Sequence, residues 1–512
     1  MSSPRASGVL LHPTSFPGRY GVGDLGLEAY QFIDFLAASG QQYWQVLPLG
    51  PTGYGNSPYM CYSALAGNPL LISLELLQDS GFLEDGDLWH VPEFSGDRVE
   101  FEKVLDYKMP LFHKACNTFK EKASEVQRTK FAGFCESKAY WLDDYAIFMA
   151  LKEAHGGASW YQWEPELVTR SHAALQQWGE QLNSEITFHK FLQYAFFSQW
   201  SQLKQYASDR DIQIIGDIPI YVAHDSADVW ANPENFCLNK ETHELDLMAG
   251  VPPDYFSSTG QLWGNPIYNW EHLQQTNFKW WIQRFEAMLD YVDVIRIDHF
   301  RGFESFWVVE LDPEVKPEDR TAEKGEWVKA PGKEFFETLR DKLGKLPILA
   351  EDLGLMTPEV EDLRDSFDFP GMKILQFAFG SDPSNPFLPF NYPRNCVVYT
   401  GTHDNDTTVG WYESREQWEH DAILRVFGQI SSEGIHWDLI RLAFSSVGNL
   451  AIIPLQDFLG LGTPARMNYP GKPSGNWEWR YWGGSITPEL AERIKSLTQT
   501  FGRIAQPKGT QE

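Results

Sequence analysis

Three carboxylates stand where three separate apolar runs stop. The runs read Val294-Ile295-Arg296-Ile297-Asp298-His299, Pro347-Ile348-Leu349-Ala350-Glu351-Asp352 and Val397-Val398-Tyr399-Thr400-Gly401-Thr402-His403-Asp404. Acids that end different buried strands are the pattern of a site at the C-terminal face of a (β/α)8 barrel. A pair of carboxylates, one acting as acid and one as nucleophile, is what chemistry on a glycosidic bond requires.

Each acid has its own case. Strand residues two apart share a face, so Arg296 and Asp298 point the same way. A guanidinium within reach favours the ionised form of a carboxylate, and a glycosyl nucleophile must be ionised and positioned. A buried structural Arg–Asp pair has the same spacing. Glu351 follows small and apolar residues; dry surroundings raise a carboxyl pKa and suit a general acid near neutrality. The alternative is a helix-capping acid in the Glu-Asp-Leu-Gly turn, a role that falls more naturally to Asp352. Asp404, in Thr402-His403-Asp404-Asn405, could bind sugar hydroxyls and favour a distorted ring, or form a structural His–Asp pair. His299 and His403 each neighbour one of these acids, and an imidazole there could bind hydroxyls or be a satisfied core residue. Asp217, in Ile214-Ile-Gly-Asp-Ile-Pro-Ile-Tyr-Val222, is a fourth acid near a strand end, open to ligand contact or to holding a loop. Taken jointly, acids ending several strands of one barrel converge on one face, which unrelated structural acids need not do.

The elements that must position these acids follow a repeated theme. Ala29, Phe32, Ile33 and Leu36 have helical spacing, Gly40 stops that helix, and Tyr43 to Leu49 reads as a strand. Phe188, Phe191, Leu192 and Ala195 precede a strand from Ile212 to Val222. Helical patterns likewise precede Val292 to Phe300, Leu346 to Ala350 and Leu450 to Leu455. Thr357 and Pro358 form an N-cap and first-turn pair opening a helix to Phe367, and Met372 to Phe379 follows as a strand. Helices alternating with near-continuously apolar strands mean a parallel sheet covered on both faces. No nucleotide-binding glycine motif follows any of these strands. The expected architecture is α/β: a (β/α)8 TIM-type barrel forming one catalytic domain over 1–512. A mainly helical insertion over 75–185 and a loop insertion over 233–270 are expected to wall the C-terminal face of the strands.

Composition narrows the partners. A formal net charge of −28 repels phosphate backbones and anionic membranes, so neither nucleic acid nor membrane is an expected partner, whereas a neutral ligand is unaffected. Aromatic residues make up 15%, which suits either a large packed core or platforms for sugar rings. The 5 cysteines are odd in number, widely spaced and without a C-x-x-C pair, which fits reduced thiols better than a disulfide framework. No His/Cys cluster has zinc spacing. The N-terminal residues carry no apolar signal segment. The expected location is the cytoplasm, or a plastid if a transit peptide has been removed.

With Arg296-Ile-Asp298-His299, Ala350-Glu351-Asp352-Leu-Gly and His403-Asp404-Asn405 in view, the chain resembles the amylomaltases. These are the 4-α-glucanotransferases, or disproportionating enzymes, of glycoside hydrolase family 77. The resemblance runs nearly end to end through Ser7-Gly-Val-Leu-Leu-His-Pro-Thr-Ser-Phe-Pro-Gly, Leu47-Pro-Leu-Gly-Pro-Thr-Gly-Tyr-Gly-Asn-Ser-Pro-Tyr59, Gly216-Asp-Ile-Pro-Ile-Tyr-Val-Ala-His-Asp-Ser-Ala-Asp-Val-Trp230 and Gly250-Val-Pro-Pro-Asp-Tyr-Phe256. It implies Asp298 as nucleophile, Glu351 as general acid/base and Asp404 as transition-state stabiliser. It implies donor-side contacts from Tyr59, Asp217, Arg296, His299, His403 and Asn468. It also implies a mobile loop beside the acceptor site, carrying Tyr255, Phe256 and Trp263. The implied donors are α-1,4-glucans (maltooligosaccharides, amylose, starch or glycogen) and the implied acceptors are glucose or maltodextrin, with no metal or organic cofactor. Two rivals remain at this level: an α-glucan hydrolase with an open acceptor side, and a glucan-binding protein that leaves its ligand unchanged.

Overall fold

The computed structural model describes residues 5–253 and 257–504. Eight strands form one parallel sheet: Ala6–Leu10, Tyr43–Gln45, Gln213–Pro219, Val294–Asp298, Ile348–Ala350, Gly371–Ile374, Cys396–Tyr399 and Leu450–Pro454. They are numbered here as the first to eighth barrel strands. Each of the first four pairs with the next strand in sequence, as do the sixth and seventh, and the eighth returns to pair with the first, Ala6 opposite Leu450. Between the fifth and sixth strands the sheet closes through single bonds. The Ala350 N–H donates to the Pro370 carbonyl at 2.9 Å, and the Met372 N–H donates to Asp352 Oδ1 at 2.6 Å. A Cβ added at Gly371 would lie 2.1 Å from Asp352 Oδ2, so glycine is what lets that carboxylate reach across. Asp352 also pairs with Arg364. It is a barrel-closing acid; the helix Pro358–Ser366 has Thr357 at its N-cap position, without a side-chain capping bond, and Pro358 in its first turn.

The barrel strands are short and almost wholly buried. Ala6–Leu10 and Cys396–Tyr399 are buried at every position, as strands covered on both faces must be. The outer layer holds Leu27–Ala38, Asn183–Ser208, Lys279–Leu289, Gly332–Leu343, Pro358–Ser366, Ile435–Ser445 and, after the last strand, Pro488–Thr500. The crossover from the sixth to the seventh strand contains only the 3-10 turns Leu375–Phe377 and Pro389–Asn391.

Strands read from apolar runs prove too long at their C-terminal ends. The run from Met372 to Phe379 leaves the sheet after Ile374, and those from Tyr43 and Ile212 leave it at Gln45 and Pro219. The residues beyond stay buried nonetheless: Val46 and Leu375 are fully covered and Ile220 nearly so. Burial continues into the loops, and hydrophobicity reports burial, not hydrogen-bonded pairing.

One insertion lies between the second and third strands. Its main helices are Phe101–Lys122, Glu125–Ala154 and His172–Gln181. Ser124 and Gln127 form a reciprocal capping box that starts the longest of them. The segment 233–270, read from sequence as loop, holds two strands of a second, antiparallel sheet: Leu247–Val251 and Gln261–Pro266. Their glycines and proline are poor strand formers. The two strands that complete the sheet, Ser305–Glu310 and Glu326–Lys329, come from after the fourth barrel strand, a pairing no local pattern contains.

Many of the aromatic residues are core. Trp44, Trp160, Trp200, Trp230 and Trp281 are fully covered, and burying a large apolar side chain contributes on the order of 1.5–3 kcal/mol. Phe16, Phe32 and Trp44 pack together behind the first two strands. Among the described residues no helix is long and apolar enough to cross a membrane.

Candidate active site

The third and fourth strands run in register with Asp217 opposite Arg296 and Pro219 opposite Asp298. Arg296, only 3% exposed, is therefore placed between two acids. Its Nη1 donates to Asp217 Oδ2 at 2.6 Å and its Nη2 lies 3.0 Å from Asp298 Oδ1. Tyr59 adds a hydroxyl bond to the same Asp217 oxygen at 2.9 Å. Burial pushes the Asp217 carboxyl up to about 7; Arg296 pulls it down and the Asp298 charge pushes it further up. Burial also drives the Tyr59 hydroxyl upward, so it stays a donor. Asp217 Oδ1 is buried without a protein partner.

Glu351 follows the fifth strand directly, and its N–H donates to the Ile297 carbonyl at 3.0 Å. This extends the ladder from the fourth strand and brings Glu351 beside Asp298. Glu351 Oε2 accepts the His299 N–H at 2.7 Å and Oε1 accepts the Leu353 N–H at 2.8 Å. Burial, then the Asp298 charge, raises the Glu351 carboxyl to about 8, against the opposing pull of Arg296 and the two N–H groups. Although protein surrounds it, Glu351 keeps partial exposure to the barrel mouth.

His299 has a left-handed backbone, φ 55°, which turns its N–H back toward Glu351. Burial, then the Arg301 charge, lowers its imidazole to about 3, so the ring is neutral. Its Nε2 is buried without a protein partner. The Trp263 ring meets it edge-on, with centroids 4.8 Å apart. Buried polar atoms in proteins are nearly always satisfied. Asp217 Oδ1 and His299 Nε2 are thus two atoms suited to ligand hydroxyls.

Asp404 lies past the seventh strand, in a loop, with its side chain 47% exposed. Asn468 Nδ2 donates to its Oδ1 at 2.6 Å, His403 Nε2 lies 3.3 Å from its Oδ2, and Arg466 donates to its carbonyl at 2.6 Å. Burial lowers the His403 imidazole, Asp404 and Asp298 raise it and Arg296 lowers it further. Its ring stacks on Tyr59, with centroids 5.2 Å apart and planes 14° from parallel. The site is thus a Tyr59–Asp217–Arg296–Asp298 chain and a His403–Asp404–Asn468 chain joined by that stack, with Glu351, His299 and Trp263 on the other side of Asp298.

Every described residue singled out from sequence falls into this constellation; Tyr255 and Phe256 lie outside the described residues. Three further residues were not anticipated. Arg466 anchors the Asp404 backbone. Trp477 packs on both Tyr59 and His403. His12 is buried near His403, whose charge helps lower it to about 3 after burial itself. His12 follows the first strand as the acids follow theirs, which was the available signal; Arg466 and Trp477 sit in loop sequence that offers none. A small pocket is lined by His12, Thr402, His403, Asp457 and Arg466, among others, and its lining includes neither Asp298 nor Glu351. Among the described residues no group of three or more His, Cys, Asp or Glu could hold a metal ion.

A parallel barrel with acids converging at the C-terminal ends of its strands has the arrangement of an enzyme, and paired carboxyls of unlike environment suit work on glycosidic bonds. The model of glycoside hydrolase family 77, described as 4-alpha-glucanotransferase, matches residues 11–485. A 4-alpha-glucanotransferase of Synechocystis sp. is 56% identical over 505 residues, 98% of this chain and 99% of that protein. One from Thermus thermophilus is 50% identical over 511 residues, 98% of this chain and 100% of that one. The amylomaltase of Streptococcus agalactiae, solved in complex with acarbose, superposes with a TM-score of 0.93 at 38% identity, covering 98% of this chain and 100% of that chain. The chain belongs to the 4-alpha-glucanotransferases of glycoside hydrolase family 77, enzymes that act on α-1,4-glucans.

Proposed function

We propose that the enzyme moves an α-1,4-glucan segment from one maltodextrin to the 4-hydroxyl of another by retaining double displacement. The Asp298 carboxylate attacks the anomeric carbon while Glu351 gives its proton to the departing glycosidic oxygen. The shortened donor leaves and a glycosyl-aspartate ester remains. Glu351, now a carboxylate, takes the proton from an acceptor 4-hydroxyl as that oxygen attacks the same carbon and releases Asp298. One glycosidic bond breaks and one forms. The carrying observation is electrostatic: Glu351 is raised to about 8 beside Asp298, whereas Asp298 is paired to Arg296. Two neighbouring carboxyls with such different environments divide into acid and nucleophile.

Asp404, held by Asn468 and His403, stabilises charge and ring distortion at the sugar next to the bond. Tyr59, Asp217, Arg296, His299 and His403 hold the donor. Trp263 is the acceptor wall that keeps water from the ester; Tyr255 and Phe256, expected in the same loop, lie outside the described residues. The insertions over 75–185 and 233–270 wall one catalytic barrel spanning 1–512, and donors range from maltooligosaccharides to amylose, starch and glycogen.

Incubation with maltotriose alone tests this. Glucose plus a ladder of longer maltodextrins at constant reducing ends is the expected result. Glucose and maltose with rising reducing ends would replace transfer by hydrolysis, and unchanged maltotriose with a folded sample would leave only binding.

A further inference from the structure

Trp477 has a backbone that tryptophan rarely adopts. Its φ is 68°, in the left-handed region where a Cβ is unfavourable. Such conformations persist only where the surroundings over-determine them, and they cluster where a structure must hold something in place. The surroundings here are specific. The Trp477 N–H donates to the Met467 carbonyl at 2.7 Å. Next to it, Asn476 Oδ1 accepts the Tyr469 N–H at 2.7 Å. These bonds draw the two ends of the loop 467–477 together, and the loop's second residue is Asn468. Asn468 grips both the Asp404 carboxylate, at 2.6 Å, and the His403 carbonyl, at 3.1 Å.

The indole, 6% exposed, closes the same circuit from the side-chain end. Its centroid lies 5.8 Å from that of Tyr59 and 6.0 Å from that of His403. Those two rings stack on each other, and their polar tips reach Asp217 and Asp404 respectively. A left-handed backbone at 477 is what aims the indole at this stack while its N–H stays on Met467.

We infer that Trp477 is a positioning residue for the transfer reaction: its strained backbone and its ring together fix Tyr59, His403 and the Asp404 loop in their working geometry. It does this without itself offering a polar group to the reacting sugar. This rests on the reading of Asp404 and Asp217 as ligand-facing acids of the proposed reaction. It predicts a defect in turnover from the displaced Asp404 loop, alongside weaker donor binding from the displaced Tyr59 and His403.

The test compares Trp477→Phe and Trp477→Gly with the parent in maltotriose transfer, well below the lowest melting temperature. Trp477→Gly removes ring and strain together; Trp477→Phe keeps a ring on the same backbone. The expected result is Trp477→Phe within about threefold of the parent, and Trp477→Gly at least about tenfold lower in kcat, with any rise in KM adding to that loss. The pH profile of Trp477→Gly should also gain an ionisation toward the ordinary histidine value of about 6.5. Water admitted behind His403 would relieve the burial that lowers it; the groups facing that imidazole are Asp404, Asp298, Arg296 and His12, together with the Tyr59 hydroxyl. Should Trp477→Gly not fold, Trp477→Leu replaces it with the same expected loss. A folded Gly or Leu variant with parental kcat and pH profile overturns the inference, as does a loss in Trp477→Phe equal to that in Trp477→Gly. An inactive parent would instead overturn the proposed reaction and this role together.

Discussion

The His299 N–H donates to Glu351 Oε2 at 2.7 Å from a left-handed backbone, so the fourth strand's exit turn directly orients the acid at the end of the fifth. That bond favours the carboxylate form, yet burial and the Asp298 charge prevail and hold the carboxyl at about 8. A group raised this far is protonated through the neutral range, as the first step of double displacement requires. The expected kcat/KM for maltotriose therefore falls about tenfold per pH unit above the raised value. A profile flat to well above pH 9, or one with its descending limb in the ordinary carboxyl range, would remove Glu351 as the acid.

The same shift has a cost in stability. The Glu351 pKa is raised on folding, from 4.5 to about 8, so the stability linked to its protonated form is fully present below 4.5 and lost as pH rises through 8. Glu351→Gln removes the charge and keeps the shape. It should melt higher than the parent in mildly alkaline buffer, with the gap closing as pH falls, while losing nearly all transfer. Calorimetry across that range decides it; a gap that does not depend on pH contradicts the linkage.

Arg296 is the shared counter-charge of Asp217 and Asp298. Replacing it by Met removes the pull that lowers the buried Asp217 carboxyl, so the cost is largest in alkaline buffer, where the acid is ionised and an unpaired buried charge typically costs about 3–5 kcal/mol. Adding Asp217→Asn should return part of that stability, since the unpaired charge is gone, but none of the activity. Urea denaturation of the two single variants and the double variant measures the coupling. Strict additivity would mean that the pair does not act as a unit.

Asn468 supplies the 2.6 Å bond to Asp404 Oδ1. Hydrogen bonds to charged groups contribute about 1.5–3 kcal/mol, and if that bond is needed in the transition state its loss lowers kcat by about 10–100-fold. Asn468→Ala should show this with little change in melting temperature, because Asp404 is half exposed. Unaltered kcat in a folded variant would place Asp404 outside the rate-limiting geometry.

The parts of this site legible in sequence were those that repeat a rule. Asp298 and Glu351 end or directly follow strands that are apolar but for Arg296, so their convergence follows from the barrel itself. The Asp217–Arg296 pair was only half legible: parity put Arg296 on the face of Asp298, but the register that sets it opposite Asp217 belongs to the assembled sheet. The second sheet was illegible because its strands come from either side of the fourth barrel strand and include glycine and proline. Strand ends were overrun because Val46, Ile220 and Leu375 are buried in turns as fully as in strands. Trp477 carried no signal at all, since its contacts, Tyr59 and His403, are both far from it in sequence.

Trp263 connects the second sheet to the acids. It lies in the strand Gln261–Pro266, keeps partial exposure, and touches His299 edge-on and Tyr221 at 6.1 Å. A transferase must let a sugar hydroxyl reach the ester while water is held back, and an aromatic face at the mouth serves both ends: it holds the acceptor ring and covers the carbon under attack. Trp263→Ala should raise the ratio of hydrolysis to transfer severalfold, read as new reducing ends per ladder product from maltotriose. Trp263→Phe keeps an edge on His299 and should stay near the parent, which separates shielding from any disturbance of the His299–Glu351 bond. If the alanine variant slows transfer and hydrolysis in proportion, Trp263 acts by positioning alone and the exclusion of water belongs to other residues.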